Sequence, residues 1–183
     1  MSETTLSQRI RNTQQNRLRP RSKDSYFSFI SDFCLYFVSV ERRRLETSQE
    51  PIPNYRSPFT DIFMRFYIQI EDLSERMKKK EIRAALEQEP PPNFFDFNSL
   101  GHIHFKMFAS ECRTKEGNKF TFGTVKNKKS GFVHIWKIYG HTFERMNDGV
   151  DAEELSQYLT GLQNELTDEA LQNGGTVRFE TYT

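Results

Sequence analysis

The sequence predicts an α+β domain, with N-terminal helices and one C-terminal helix packed on a small, mainly antiparallel four-stranded sheet, behind a disordered basic N-terminal arm. Three observations lead there. Apolar residues recur every three or four positions through residues 24–89, the period of a helix face. From His102 onward they alternate every second residue between turn signals, which is the strand pattern. At Asp151 a cap-like Asp-Ala-Glu-Glu opens a leucine stripe, and a further alternating stretch follows it.

The first 23 residues hold few apolar side chains and much Gln, Asn, Ser, Thr and Arg, a composition that cannot offset its own ordering entropy. They are read as a mobile arm, and residues 24–183 as one domain. Tyr26, Ile30, Phe33, Phe37 and Val40 then fall on one helical face. Phe27, Phe29, Cys34, Tyr36 and Val38 fill the sides, so this helix is expected to be buried, starting at a cap from Asp24 or Ser25. After a proline-punctuated connector, Ser57-Pro58 signals a second helix. Its stripe is Phe59, Ile62, Phe63, Phe66, Tyr67, Ile70, Leu73 and Met77, and residues 81–89 continue or restart it until Pro90-Pro91-Pro92 ends it.

Residues 90–101 read as a proline- and phenylalanine-rich loop, and 102–183 as a meander, a helix and a strand. Ile103, Phe105 and Met107 alternate with His102, His104 and Lys106. Glu116-Gly117-Asn118 turns into Phe120, Phe122 and Thr124, and Lys129-Ser130-Gly131 turns into the strand Phe132 to Tyr139. Leu155, Tyr158, Leu159, Leu162 and Leu166 give the last helix its face. Asn173-Gly174-Gly175 stops it, and residues 176–182 alternate as the fourth strand.

The net charge of +1 conceals segregation. Residues 1–23 carry six cations against Glu3, a net of +5; residues 102–140 carry eight against two acids, a net of +6; residues 144–172 carry eight acids against Arg145, a net of −7. Charge laid out this way suits a polyanion on the basic side, or the basic side of one copy against the acidic 151–172 helix of another. The anion-contacting candidates are Arg9, Arg11, Arg17, Arg19 and Arg21 of the arm, Arg42-Arg43-Arg44, Lys78-Lys79-Lys80, and Lys126, Lys128 and Lys129 in an expected hairpin. Exposed Phe, Tyr or Trp136 rings are the aromatics on which bases would stack.

Catalytic signatures are missing from this pattern. No phosphate-cradling glycine loop, no G-x-S-x-G elbow and no activated cysteine is visible. His102 and His104 share a strand face with His134 next door, but a zinc site needs three or four convergent ligands, so neither metal nor cofactor is expected. Cys34 and Cys112 are too few for a disulfide scaffold, the N-terminus lacks a signal-peptide apolar core, and no apolar run approaches a membrane span. A cytoplasmic or nuclear, non-secreted protein is the expectation.

The joint reading is a non-enzymatic binding and assembly protein that engages RNA, DNA or an anionic membrane surface through its basic clusters. Its layout, a basic N-terminal segment on a compact α+β body, is similar to that of matrix-type proteins of negative-strand RNA viruses. That likeness implies a self-assembling viral structural or accessory protein. The alternatives are a protein-interaction adaptor or suppressor without nucleic-acid binding, and a small enzyme centred on His102, His104 and His134.

Overall fold

The computed structural model describes residues 20–47 and 55–174. These residues form six α-helices and one 3-10 segment: α1 (Pro20–Glu46), α2 (Asp61–Ile70), α3 (Glu75–Leu86), α4 (His102–Glu111), α5 (Phe122–Ile138), the 3-10 turn Phe143–Gly149, and α6 (Val150–Gln172). No strand is present among the described residues; the sole sheet-like pairing is an isolated antiparallel bridge between Phe59 and Phe95. The expected α+β fold is therefore corrected to an all-helical one.

Helix α1 is the axis of the molecule, and it is buried as its all-round apolar sequence requires. Phe27, Phe29, Ile30, Phe33, Cys34, Phe37, Val38 and Val40 are all within the core. It starts at Pro20, four residues earlier than the expected cap, because proline fits the first helical turn without forfeiting a hydrogen bond. Asp24 is thus inside the helix and pairs instead with Arg83 of α3 at 2.6 Å. Residues 20–23, grouped with the arm in the sequence, form this first turn; residues 1–19 lie outside the described residues.

The long periodic stripe from Phe59 is two helices, not one. The chain breaks at 71–74, where the Ser74 hydroxyl accepts from the Met77 amide at 3.3 Å and caps α3. Past that break the stripe no longer faces inward. Leu73 and Met77 are exposed, while Ile82, Ala85 and Leu86 carry the burial. The 90–101 loop is as much core as connector, with Phe94, Phe95 and Leu100 buried. It is held by Thr60 N donating to Phe94 O (3.0 Å), Asp96 N to Pro58 O (2.9 Å) and Tyr139 Oη to Pro92 O (2.6 Å).

The expected strands at 102–107, 120–124 and 132–139 are the sites of α4 and α5; the fourth, 176–182, lies outside the described residues. In α4 the buried residues are His104, Phe105 and Phe108, a helical spacing that the histidine alternation masks. In α5 they are Val125, Gly131, Phe132, Ile135 and Trp136, again helical. The Lys129-Ser130-Gly131 turn is no turn: Gly131 sits mid-helix because α1 passes too close for a side chain. A Cβ there would stand 2.8 Å from Cδ1 of Phe29. Thr121, whose hydroxyl accepts from Thr124 N at 3.2 Å, starts α5.

Around α1 the core is largely a lattice of rings. Phe29 meets Phe108 edge-on at 5.2 Å, Phe33 meets Phe37 at 4.7 Å, and Phe132 meets Trp136 at 4.8 Å. Aromatic pairs of this kind add about 0.5–1.5 kcal/mol each beyond their area. This is how a chain with 36% apolar residues but 17 phenylalanines fills a core.

Candidate functional site

The histidines separate. His104 is buried and fully engaged: Nδ1 accepts from Gly101 N (3.1 Å) and Nε2 donates to Arg56 O (2.7 Å), which fixes the neutral tautomer. Burial holds its pKa below the ordinary value, outweighing the bond to the Arg56 carbonyl. His134 lies against Tyr26 at 5.0 Å on the α1–α5 seam. Its pKa is lowered by burial and then by the nearby charges of Lys137 and Lys23. His141 rests on Phe97 at 4.7 Å. Among the described residues no group of three or more His, Cys, Asp or Glu side chains is placed to hold a metal ion. His102 and His104 both line one cleft, and His134 is not among the residues that line it.

His102 borders a cleft of about 330 Å³ whose walls include Phe97, Leu100, Met146, Asn147 and Asp151. The Asp151 carboxylate, buried at 4% exposure, accepts from the His102 amide at 2.9 Å. The acid expected to cap its own helix caps the neighbouring α4 instead. The fit is close, since a Cβ on Gly101 would lie 2.7 Å from Asp151 Oδ1. Asn147 and Asp148 enter the left-handed region (φ 52° and 54°) to bring α6 round to this position; Asn and Asp are among the residues that tolerate it. These contacts are those of a helix start; of the buried side-chain nitrogens and oxygens lining this cleft, His102 Nδ1 is without a hydrogen-bond partner among the described residues.

The basic candidates divide by occupation. Arg42 pairs with Glu71 at 2.6 Å and covers the Tyr67 ring, Arg43 reaches Glu111 at 3.9 Å, and Arg44 reaches Glu41 at 3.9 Å over Tyr55. Lys79 is held by Asp32 (2.6 Å) and Glu75 (3.1 Å), and Lys78 lies over Tyr67 at 5.6 Å. Arg42, Arg43 and Lys79 tie α1 to its neighbours, Arg44 pairs within α1, and Lys78 joins α3 to α2. Lys80 is exposed. Arg9, Arg11, Arg17 and Arg19 lie outside the described residues, and Arg21 is in the first turn of α1.

Lys126, Lys128 and Lys129 lie on α5, not in a hairpin. With Lys137 they give α5 four positive charges and no acid. Lys128 packs over Phe120 (4.8 Å) and Phe108 (5.8 Å); Lys126 and Lys137 are exposed, and Lys129 is half-exposed. Trp136 is wholly enclosed by Phe97, Phe132 and Phe143, so no base can reach its face. It drops out of any nucleic-acid surface.

A cavity of about 540 Å³ was not visible in the sequence. It opens between the end of α4, the start of α5 and the second half of α6. Its floor is apolar, with Phe120, Val125, Tyr158, Leu162 and Leu166; one wall carries Arg113 and Lys119, the other Glu165 and Glu169. Among the described residues no ion pair joins these walls. The segregated charge was the signal in the sequence, but the helix that carries half of it had been placed on a sheet.

Compared with known proteins, the chain matches no family model, no curated protein and no solved structure. Among the described residues no helix is long and apolar enough to cross a membrane.

Proposed function

We propose that this is a non-catalytic binding and assembly protein that contacts nucleic-acid phosphates through α5 and its arginine-rich N-terminal segment. The observation that supports it is the composition of α5, where four lysines and no acid occupy one 17-residue helix. Lys126, Lys129 and Lys137 fall within a narrow arc of that helix at about 100° per residue. Lys23 of α1 and Lys137 both act on His134, so the start of α1 adds a cation to this side of α5. A lysine row of this kind contacts phosphates without reading bases, which gives affinity rather than sequence preference. The viral structural or accessory reading stays within this proposal, resting now on a basic segment joined to an assembling body rather than on an α+β layout.

The test is oligonucleotide affinity against salt. Each phosphate neutralised on duplex DNA contributes about −0.9 to the slope of log affinity against log salt. Replacing Lys126, Lys129 and Lys137 with Gln is expected to shallow that slope by roughly two to three and to weaken binding uniformly across sequences. A slope identical to that of the unsubstituted protein, or no retention on heparin at low salt, overturns the proposal.

A further inference from the structure

We infer that the cleft beneath α6 is a self-recognition surface, occupied by the same face of a second copy of this chain; this rests on the assembly half of the proposed function. Among the described residues the second half of α6 is only partly held, with Tyr158, Leu159 and Leu162 half-buried against the core. Its buried residues, Asp151 and Leu155, all lie in its first two turns. From residue 156 to 172 no side chain is buried, although Tyr158, Leu159, Leu162 and Leu166 continue the apolar stripe. A free amphipathic helix of this length is marginal in water, because helices in proteins are held chiefly by covering their apolar face. The cleft under that stripe is where the cover belongs.

The charges say what covers it. The helix from 150 to 172 holds six acids and no lysine or arginine. Among the described residues, Glu154 alone of those six has an ion-pair partner, Lys106 at 2.9 Å, and Asp151 caps α4. Glu165 and Glu169 line the cleft with no described cation within ion-pair distance, and Lys119 and Arg113, which also line it, have no described acid; among the described residues the Arg113 guanidinium donates to the carbonyls of Ser110 and Cys112. An occupant must therefore present an apolar strip flanked by cations on one side and acids on the other. The same face of a second copy, turned about a two-fold axis, has this pattern. The acids of each protomer then meet the bases of its partner, and the contact is isologous and closed.

Charge reversal with mixing is the test, read by sedimentation of the full chain at low and high salt. The unsubstituted protein is expected to be a dimer at low salt that weakens as salt rises, since these charges are solvent-facing. Glu165→Lys with Glu169→Lys places cations opposite cations, and Arg113→Glu with Lys119→Glu places acids opposite acids. Each variant alone should lose at least about tenfold in dimer affinity. Mixed together they should form a one-to-one heterodimer, because both symmetry-related contacts are then complementary. A second variant, Leu166→Asp, should abolish association and not be rescued by either partner, with its helical circular dichroism retained at the level of the charge variants. A monomer at every concentration and salt overturns the inference, as does a mixture no more associated than its components. The α5 lysine variant tests the nucleic-acid proposal separately: it should lose oligonucleotide and still dimerise.

Discussion

Gly131 offers the sharpest test of the helical packing. On propensity alone, Gly131→Ala within α5 should stabilise the protein by up to about 1 kcal/mol. The structure opposes this. The new methyl would stand 2.8, 2.9 and 3.0 Å from Cδ1, Cγ and Cβ of Phe29, against a comfortable carbon–carbon contact of about 3.5–4 Å. These atoms are the root of the side chain rather than its mobile end. Phe29 is itself 3% exposed and confined by Phe33, Phe105 and Phe108. The helices must separate by several tenths of an ångström, and overpacking of that kind costs about 1–3 kcal/mol. The net expectation is a loss of about 1–2 kcal/mol, a fall in Tm of roughly 2–8 °C for a chain of this size. Gly161→Ala is the control: it also lies within a helix, but nothing stands within 4 Å of its would-be Cβ, so it should gain about 0.5–1 kcal/mol. Both are measured by calorimetry and by urea unfolding at a salt concentration that suppresses association. If Gly131→Ala raises Tm as Gly161→Ala does, α1 and α5 do not pack as described.

Asp151→Ala removes the carboxylate that caps α4 and should cost about 1–2 kcal/mol in urea unfolding, with Asp151→Asn, which keeps an acceptor, losing less; equal losses would show that the carboxylate acts otherwise than as a cap. Stability should fall as pH drops below about 6.5, because burial holds the pKa of His104, and also those of His102 and His134, below the unfolded value, so the unfolded chain takes up more protons there. His104 alone accounts for at most about 1.4 kcal/mol per pH unit, and the urea midpoint should be flat with pH above that window; a midpoint that rises on acidification contradicts the placement of the three rings. Trp136, the single tryptophan, should emit in the blue, resist acrylamide quenching and stay unchanged when oligonucleotide binds. Red, quenchable emission would mean that the ring lattice around it does not form.

Where the sequence was legible, one element's periodicity decided its state; where it was not, the deciding contact came from elsewhere in the chain. The burial of α1 could be read from Tyr26 to Val40 because its neighbours cover most of its circumference, leaving the strip of Ser28, Asp32, Leu35 and Ser39 toward solvent. The residues of α4 were ambiguous because His104 behaves as a core residue. It occupies an inward position that alternation assigns to the polar face, and it does so by spending both ring nitrogens on the backbone of Gly101 and Arg56. In α5 a glycine that looked like a turn is a point of close approach, a distinction that depends on Phe29, about a hundred residues away in sequence. The basic clusters divide for the same reason. Arg42, Arg43 and Arg44 resemble the lysines of α5 as a string of charges, but Glu71, Glu111 and Glu41 are placed to pair with them. Segregated net charge survives such errors because it is a property of composition. It located the acidic helix correctly while the sheet beneath it was wrong, and it is that helix, half covered and lined with unmatched acids above a basic wall, on which self-association depends.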